Sequence, residues 1–587
     1  MNNIILVLLV ALFHNSAIAQ KDFITSFEES GGTETATYEE GIAYYKSLAD
    51  AFGEINVEVY GETDSGRPLH LVTLSLERDF DFESIRTKNK RIYLINNAIH
   101  PGEPDGVDAS MMFLRDLVQN IDQYRAQLEK TVIAIIPFYN IGGVLNRNDF
   151  TRVNQNGPKE HGFRGNARNY DLNRDFIKND TKNARSFIAI FQKLDPDIFV
   201  DTHVSNGADY PYVMTMDIAQ KDKLGGVLED YLEETMMPAL FEHMKNSDYE
   251  MIPYVNVFNE SPDKGYSQFF DSPRYSAGYT ALFHTIGFQS EPHMLKPYKD
   301  RVYATYAFLQ GVLNVVSRDS ELLKKLRDET KASVKTQRHF DISWKLDNSR
   351  HTELEFNGYE ASYIDSKVTG QKRLFYDRNK PYRKIIPYYN HYVADITIER
   401  PDYYFIPRGW HTVIDRLKLN EIELYQFERD SIIAVEVYYI EDYKTRTAPF
   451  EGHYMHYDLK VRKETETLRF SKGDYVVPVN QWRNRYIVET LEPQGMDSFF
   501  TWNLFDTILQ RKEGYSPYVF EEIAAQLLQD DFELNAKFEK RKQADHEFAN
   551  SSKAQLDFIY MNSPYYENEH LRYPVFRSKT ILEAGIE

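Results

Sequence analysis

The chain has 587 residues, 69 basic and 89 acidic side chains, 42% hydrophobic residues and no cysteine. At roughly 100–200 residues per domain, this length predicts two or three domains, each with its own core. A net charge of −20 argues against nucleic acid or an anionic membrane surface as the main partner. Without cysteine there can be no disulfides, no thiolate metal site and no thiol nucleophile, so an active site must draw on His, Asp, Glu, Ser, Tyr, Lys or Arg.

The amino terminus carries an unbroken apolar run from Ile4 to Phe13, followed by Ala17-Ile18-Ala19, a cleavage pattern ahead of Gln20. The run is about half the length needed to span a bilayer, so residues 1–19 read as a signal peptide and the mature chain as secreted or periplasmic. No later apolar run approaches the length of a membrane span. Export without disulfides suits a bacterial envelope.

A helix is expected from Tyr38 to Phe52, then strands at Val57 to Gly61 and Leu69 to Leu74 around the turn Asp64-Ser65-Gly66-Arg67-Pro68. Apolar runs at Arg91 to Asn96, Thr131 to Phe138, Ile198 to Thr202 and Ile286 to Ser290 have strand length. Between them lie helical patterns at Gly106 to Val118, Thr181 to Leu194 and Leu224 to Met244. Strands apolar on both faces and alternating with helices predict an α/β fold, a mixed, mostly parallel central sheet with helices on both faces. Chemistry in such folds collects at the carboxyl ends of the strands.

Beyond Leu313, Glu321 to Val334 predicts a charged linker helix. His339 to Trp502 is Tyr-rich with short alternating segments, which predicts an antiparallel β domain of sandwich or barrel type. Inside it, Asp402 to Pro407 with Trp410 echoes Asp474 to Pro478 with Trp482. Val519 to Ala549 reads as helical, charged and packed on the β domain.

Of sixteen histidines, only His100 has a Glu three residues later. His100-Pro101-Gly102-Glu103 follows a predicted strand and precedes a predicted helix, so a sharp turn would aim both side chains into the crevice at the strand's end. They could supply two of the three protein ligands of a hydrolytic zinc. A solvated surface turn is the alternative. His203, at the end of the strand Asp197 to Thr202, is the candidate third ligand, with a hydrogen-bonded structural histidine as its alternative. His453 and His456 lie in the β region, where positions i and i+3 face opposite ways, and are set aside.

Between these sites runs Gly162-Phe163-Arg164-Gly165-Asn166-Ala167-Arg168-Asn169-Tyr170-Asp171-Leu172-Asn173-Arg174-Asp175-Phe176. Here the sequence resembles the zinc carboxypeptidases, in which H-x-x-E is followed by an Arg, an Asn-Arg pair in a D-x-N-R-[ND]-[FW] context, a second zinc His and a glutamate base. The matching positions are His100 and Glu103, Arg164, Asn173 and Arg174, His203, and Glu291. Gly66-Arg67-Pro68-Leu69 resembles the family's early hairpin.

The resemblance covers about Tyr38 to Leu313. It implies one zinc per chain on His100, Glu103 and His203, Glu291 as general base and Arg164 stabilising the oxyanion. Arg174 and Asn173 would hold the free C-terminal carboxylate of a peptide substrate. The family's substrate-closing tyrosine sits roughly twenty residues before the base. The position twenty-two before Glu291 is Phe269, and of Tyr266, Tyr275 and Tyr279 we assign Tyr275.

The expected organisation is a signal peptide (1–19), a zinc carboxypeptidase-like catalytic domain (20–318), a linker helix (319–338), a β-rich accessory domain (339–515) and a helical C-terminal segment (516–587). The expected function is a secreted metallocarboxypeptidase. Two alternatives are a hydrolase of cell-wall stem peptides or N-acyl amino acids on the same site, and a peptide- or glycan-binding protein with a lapsed zinc site. No G-x-S-x-G elbow is present.

Overall fold

The computed structural model describes residues 23–579. The apolar run and cleavage pattern of residues 1–19 lie outside them. Among the described residues, no helix is long and apolar enough to cross a membrane.

An eight-stranded mixed sheet forms the first half, in the order Ile55–Glu62, Pro68–Leu74, Thr131–Ile136, Arg91–Asn96, Ile198–Thr202, Ile286–Ser290, Met214–Ile218, Met251–Pro253. The four central strands, Thr131–Ile136 through Ile286–Ser290, are mutually parallel. Antiparallel pairings add the hairpin Ile55–Leu74 at one side and Met214–Ile218 at the other.

The parallel strands are buried on both faces, and alternate side chains enter two different cores. Tyr93 and Ile95 pack with Tyr38–Ala51, Asp105–Gln119 and Tyr298–Arg318, whereas Ile92 and Leu94 face Lys182–Leu194 and residues of the C-terminal half. That two-sided burial explains why these runs read as continuous apolar stretches.

Local signals fix the helices. Thr37 and Glu40 form a reciprocal capping box ahead of Tyr38–Ala51, and Thr181 caps Lys182–Leu194 through the Ala184 N–H. Gly106 lets the first turn of Asp105–Gln119 approach the end of Ile198–Thr202, because a Cβ there would lie 2.0 Å from Thr202 Oγ1. The predicted helix Leu224 to Met244 is broken. Gly225 and Gly226 take left-handed φ of 70° and 58°, and a π turn at Leu232–Met236 precedes Met237–Asn246 with Pro238 in its first turn.

The helix Ser320–Thr336 docks on the sheet. Its Arg327 is buried and pairs with Asp195 at 2.9 Å and Asp197 at 3.0 Å.

The β-rich region is not a closed sandwich or barrel. It comprises a two-stranded sheet (His339–Leu346 with Tyr392–Glu399), a long hairpin (Thr352–Asp365 with Lys372–Tyr389) whose base pairs with Tyr266–Ser267 as a third strand, and a six-stranded sheet. The outer half of the long hairpin buries almost nothing, so its alternation has no opposing sheet to pack on. The two echoing stretches are adjacent strands of the six-stranded sheet, Tyr403–Ile406 and Tyr475–Pro478, antiparallel to each other and each followed by a helix. The helices Pro517–Asp530, Phe532–Ala544 and Ser552–Met561 pack on one another in a small core of their own rather than on the β region.

Candidate active site

Three neighbouring parallel strands deliver the candidate residues. His100 and Glu103 follow Arg91–Asn96, His203 follows Ile198–Thr202, and Glu291 follows Ile286–Ser290. The Glu103 N–H donates to the His100 carbonyl at 2.8 Å, closing the Pro-Gly turn and bringing both side chains to one side.

His100 Nδ1, Glu103 Oε2 and His203 Nδ1 converge, separated by 3.1 Å (His to His), 3.3 Å (His100 to Glu103) and 3.4 Å (His203 to Glu103). All three residues are at most 3% exposed. Four ligands arranged tetrahedrally about zinc at bonds of about 2.0 Å stand about 3.3 Å apart, so the three protein atoms fit the edges of such a site. This is the one cluster of its kind among the described residues.

Each imidazole turns its other nitrogen to a carboxylate, His100 Nε2 to Asp171 at 3.0 Å and His203 Nε2 to Asp201 at 3.1 Å. That arrangement fixes ring orientation in metal-ligating histidines. Glu103 is oriented in turn. Arg152 donates to its Oε1 at 2.6 Å and the Val204 N–H to its Oε2 at 2.9 Å. Burial pushes the Glu103 carboxyl up, but Arg152 and His100 outweigh it and hold the group well below the usual carboxylate range.

A cavity of about 200 Å³ opens over this cluster, lined also by Arg164, Asn173, Arg174, Tyr275, Asp217, Gln289 and Glu291. Burial pushes Glu291 up to about 8 against the pull of His203. Arg164 Nε pairs with Asp171 at 2.9 Å, while the side chain stays 44% exposed toward the opening. Arg174 lies 4.3 Å from the ring centre of Tyr275, and Asn173 Oδ1 accepts the Ser276 N–H at 3.1 Å. Phe269 lines the same cavity and packs edge-on against Tyr275. All eight sequence-derived candidates thus border one cavity.

Residues 42–197 match the family described as Zinc carboxypeptidase. The segment that carries His100, Glu103, Arg164 and Arg174 is similar to the zinc carboxypeptidases, and the chain is a metallopeptidase. This metallopeptidase is 19% identical over 462 residues to carboxypeptidase 2 of Trichophyton rubrum, spanning 76% of this chain and 79% of that protein. The Trichophyton equinum carboxypeptidase 2 is 19% identical over 458 residues, spanning 75% and 78%. Among solved structures, the metallo-carboxypeptidase of Pseudomonas aeruginosa in complex with (2-guanidinoethylmercapto)succinic acid aligns at TM-score 0.37 and 15% identity, over 49% of this chain and 70% of that one. The Burkholderia cenocepacia metallo-carboxypeptidase aligns at 0.36 and 16%, over 48% and 70%.

Several site residues of this metallopeptidase escape sequence reading. Asp171 stands in the D-x-N-R stretch, which could have flagged it as the partner of His100. Arg152 contacts Glu103, and Asp201 stands 3.1 Å from His203. Asp217 belongs to the strand Met214–Ile218, which carries no clear sequence signal, and sits opposite Gln289 in the ladder with Ile286–Ser290. Lys296, Tyr298 and Arg301 are structural: Lys296 donates to the Tyr210 carbonyl, Tyr298 bonds Asp108, and Arg301 pairs with the buried Asp105 at 2.7 Å. His453 and His456 go separate ways, to Asp180 and Asp506.

Proposed function

We propose that this metallopeptidase hydrolyses the C-terminal amide bond of peptides, using one zinc on His100, Glu103 and His203. The observation that carries this reading is the convergence of three donor atoms at tetrahedral spacing beneath a cavity that also holds Glu291, Arg164 and Arg174. Zinc, when bound, supplies Lewis acidity and makes water a stronger acid.

The chain's own groups do the rest. Arg174 and Asn173 hold the substrate's terminal carboxylate, with Tyr275 stacked on the guanidinium to keep its fork in one plane. Arg164 faces the oxygen on which negative charge develops at the scissile carbonyl. Glu291 takes a proton from the attacking water and passes it to the leaving amine, so that water's O–H and the C–N bond break as the new C–O and N–H bonds form.

The cavity also supports a preference for the departing residue. Asp217 is 4% exposed, lines the cavity and pairs with no basic side chain among the described residues. Burial, then Asp271 and Glu291, push its carboxyl well above the usual range. Opposite it, the Gln289 amide nitrogen has no partner. A cationic terminal side chain would supply the missing counter-charge. The signal-like residues 1–19 support action outside the cytoplasm.

Incubating purified protein with a panel of free-acid peptides, and weighing the products, tests the reading. Release of single C-terminal residues, abolished by a chelator and restored by zinc, is expected. Internal cleavage, or activity indifferent to chelation, would contradict it.

A further inference from the structure

The clamp formed by Arg174 and Tyr275 is held from outside the catalytic sheet. Between the strands Ser431–Thr445 and His456–Phe470 of the β-rich region, residues Phe450–His453 make a tight turn. Phe450 N–H donates to the His453 carbonyl at 2.8 Å and His453 N–H returns the bond at 3.0 Å. Glu451 and Gly452 have φ of 48° and 80°, so a glutamate occupies the left-handed region that favours glycine.

The strained turn grips the segment that carries the arginine. Glu451 Oε2 accepts the Asp171 N–H at 2.8 Å, Gly452 packs on Tyr170, where an added Cβ would lie 2.6 Å from the hydroxyl, and His453 Nε2 bonds Asp180 Oδ2 at 2.7 Å. These anchors flank the short helical turn Leu172–Arg174 on both sides.

The other half of the clamp is anchored from the same region. Asp497, 2% exposed, accepts both the Arg274 N–H at 3.0 Å and its Nε–H at 2.7 Å, immediately before Tyr275. Trp502 joins the two anchors. It donates to Asp497 at 3.2 Å, stacks on Phe450 with ring centres 6.2 Å apart, and lies 5.2 Å under the Arg274 guanidinium.

We propose that the β-rich C-terminal region positions the Arg174–Tyr275 clamp for the substrate's terminal carboxylate, with Glu451 and Asp497 as its positioning residues. This role rests on Arg174 being the carboxylate fork. A half-buried carboxylate spent on one backbone N–H of the clamp segment, from a strained turn in a distant part of the chain, defines where that segment sits. Contacts serving only to glue two regions together would not need to meet at the two sides of one binding pair.

The test compares kcat/KM for a free-acid peptide with that for its C-terminally amidated counterpart. Glu451→Ala should shrink the free-acid advantage by about 10-fold or more, mostly through KM, while zinc content and Tm stay near the wild type. Glu451→Gln keeps an acceptor oxygen for the Asp171 N–H and should restore most of the advantage. Asp497→Asn, which weakens the hold on Arg274, should shrink it as well. A folded Glu451→Ala enzyme with the full wild-type advantage would overturn the positioning role. A wild-type enzyme with no free-acid advantage would instead remove the clamp itself, and this role with it.

Discussion

His100 Nε2 and Asp171 Oδ1 lie 3.0 Å apart across 71 residues of sequence, and Asp171 Oδ2 at the same time holds Arg164 at 2.9 Å. One carboxylate therefore orients both a candidate zinc ligand and the candidate oxyanion partner. Burial would raise the Asp171 carboxyl, but His100 and Arg164 hold it well below the usual carboxylate range. Asp171→Asn keeps the shape and loses the charge. Zinc affinity, measured by competition with a chromophoric chelator, should fall about 10–100-fold, as for other supporting partners of metal ligands. Unchanged affinity would place Asp171 outside the metal's support.

Glu291→Gln preserves the volume of the side chain but cannot accept a proton. The variant should bind about one zinc and lose about 10²–10⁴-fold in kcat. The base must be ionised to act, so kcat/KM of the wild type should rise with pH through the Glu291 pKa. Burial places that group above 4.5, up to about 8 before a metal cation pulls it down. A pH–rate profile whose acid limb persists in Glu291→Gln would assign the limb to another group.

Asp217 makes a prediction about the departing residue. Peptides ending in Lys or Arg should be cleaved about 10–100-fold more efficiently than those ending in Leu, the worth of a charge-assisted contact in a desolvated pocket. Asp217→Asn should erase most of that difference while leaving hydrolysis of the Leu peptide in place. Efficient cleavage of Leu-terminated peptides in preference to basic ones would refute the pairing without touching the metal site.

The helix Ser320–Thr336 offers a test of stability away from the site. Burial would raise the Asp195 carboxyl, but Arg327 and Lys331 bring it down to about 2 from 3.8. A depressed carboxylate stabilises the fold above its unfolded pKa and loses that contribution as pH falls toward 2, an effect of about 2 kcal/mol. Asp195→Asn, whose amide tolerates the left-handed backbone there (φ 44°), should lower Tm at pH 6 and converge on the wild type as the pH approaches 2. Equal Tm values at neutral pH would mean that the ion pairs contribute nothing.

The parallel core was legible because its strands are buried on both faces. Arg91–Asn96, Ile198–Thr202 and Ile286–Ser290 appear in the sequence as runs with the same limits as the observed strands. His100, Glu103, His203 and Glu291 were legible for the same reason, since each stands just beyond such a run, and Asn173 and Arg174 stand in the D-x-N-R stretch. Arg164 and Tyr275 came from the family resemblance alone. Met214–Ile218 was not legible, because Thr215 and Asp217 interrupt its apolar pattern where the strand faces the site. The β-rich region misled in another way. Alternation over 352–389 indicates strands but not an opposing sheet, and the structure uses them as an open hairpin. Nothing in the local pattern of Glu451 or Asp497 reveals that they reach the clamp, because those contacts span hundreds of residues.

A double-mutant-style cycle on substrate and enzyme measures whether Arg174 reads a free C-terminus. Amidating the peptide removes the charge and leaves the guanidinium unpaired, which should cost about 10²–10³-fold in kcat/KM. Arg174→Ala should impose a similar loss on the free-acid peptide and little further loss on the amidated one, since both changes delete one interaction. Arg164→Ala should lower kcat for both peptides, because the oxyanion forms whichever end group is present. Equal cleavage of amidated and free-acid peptides by the wild-type enzyme would contradict the account and assign the zinc site to an endopeptidase.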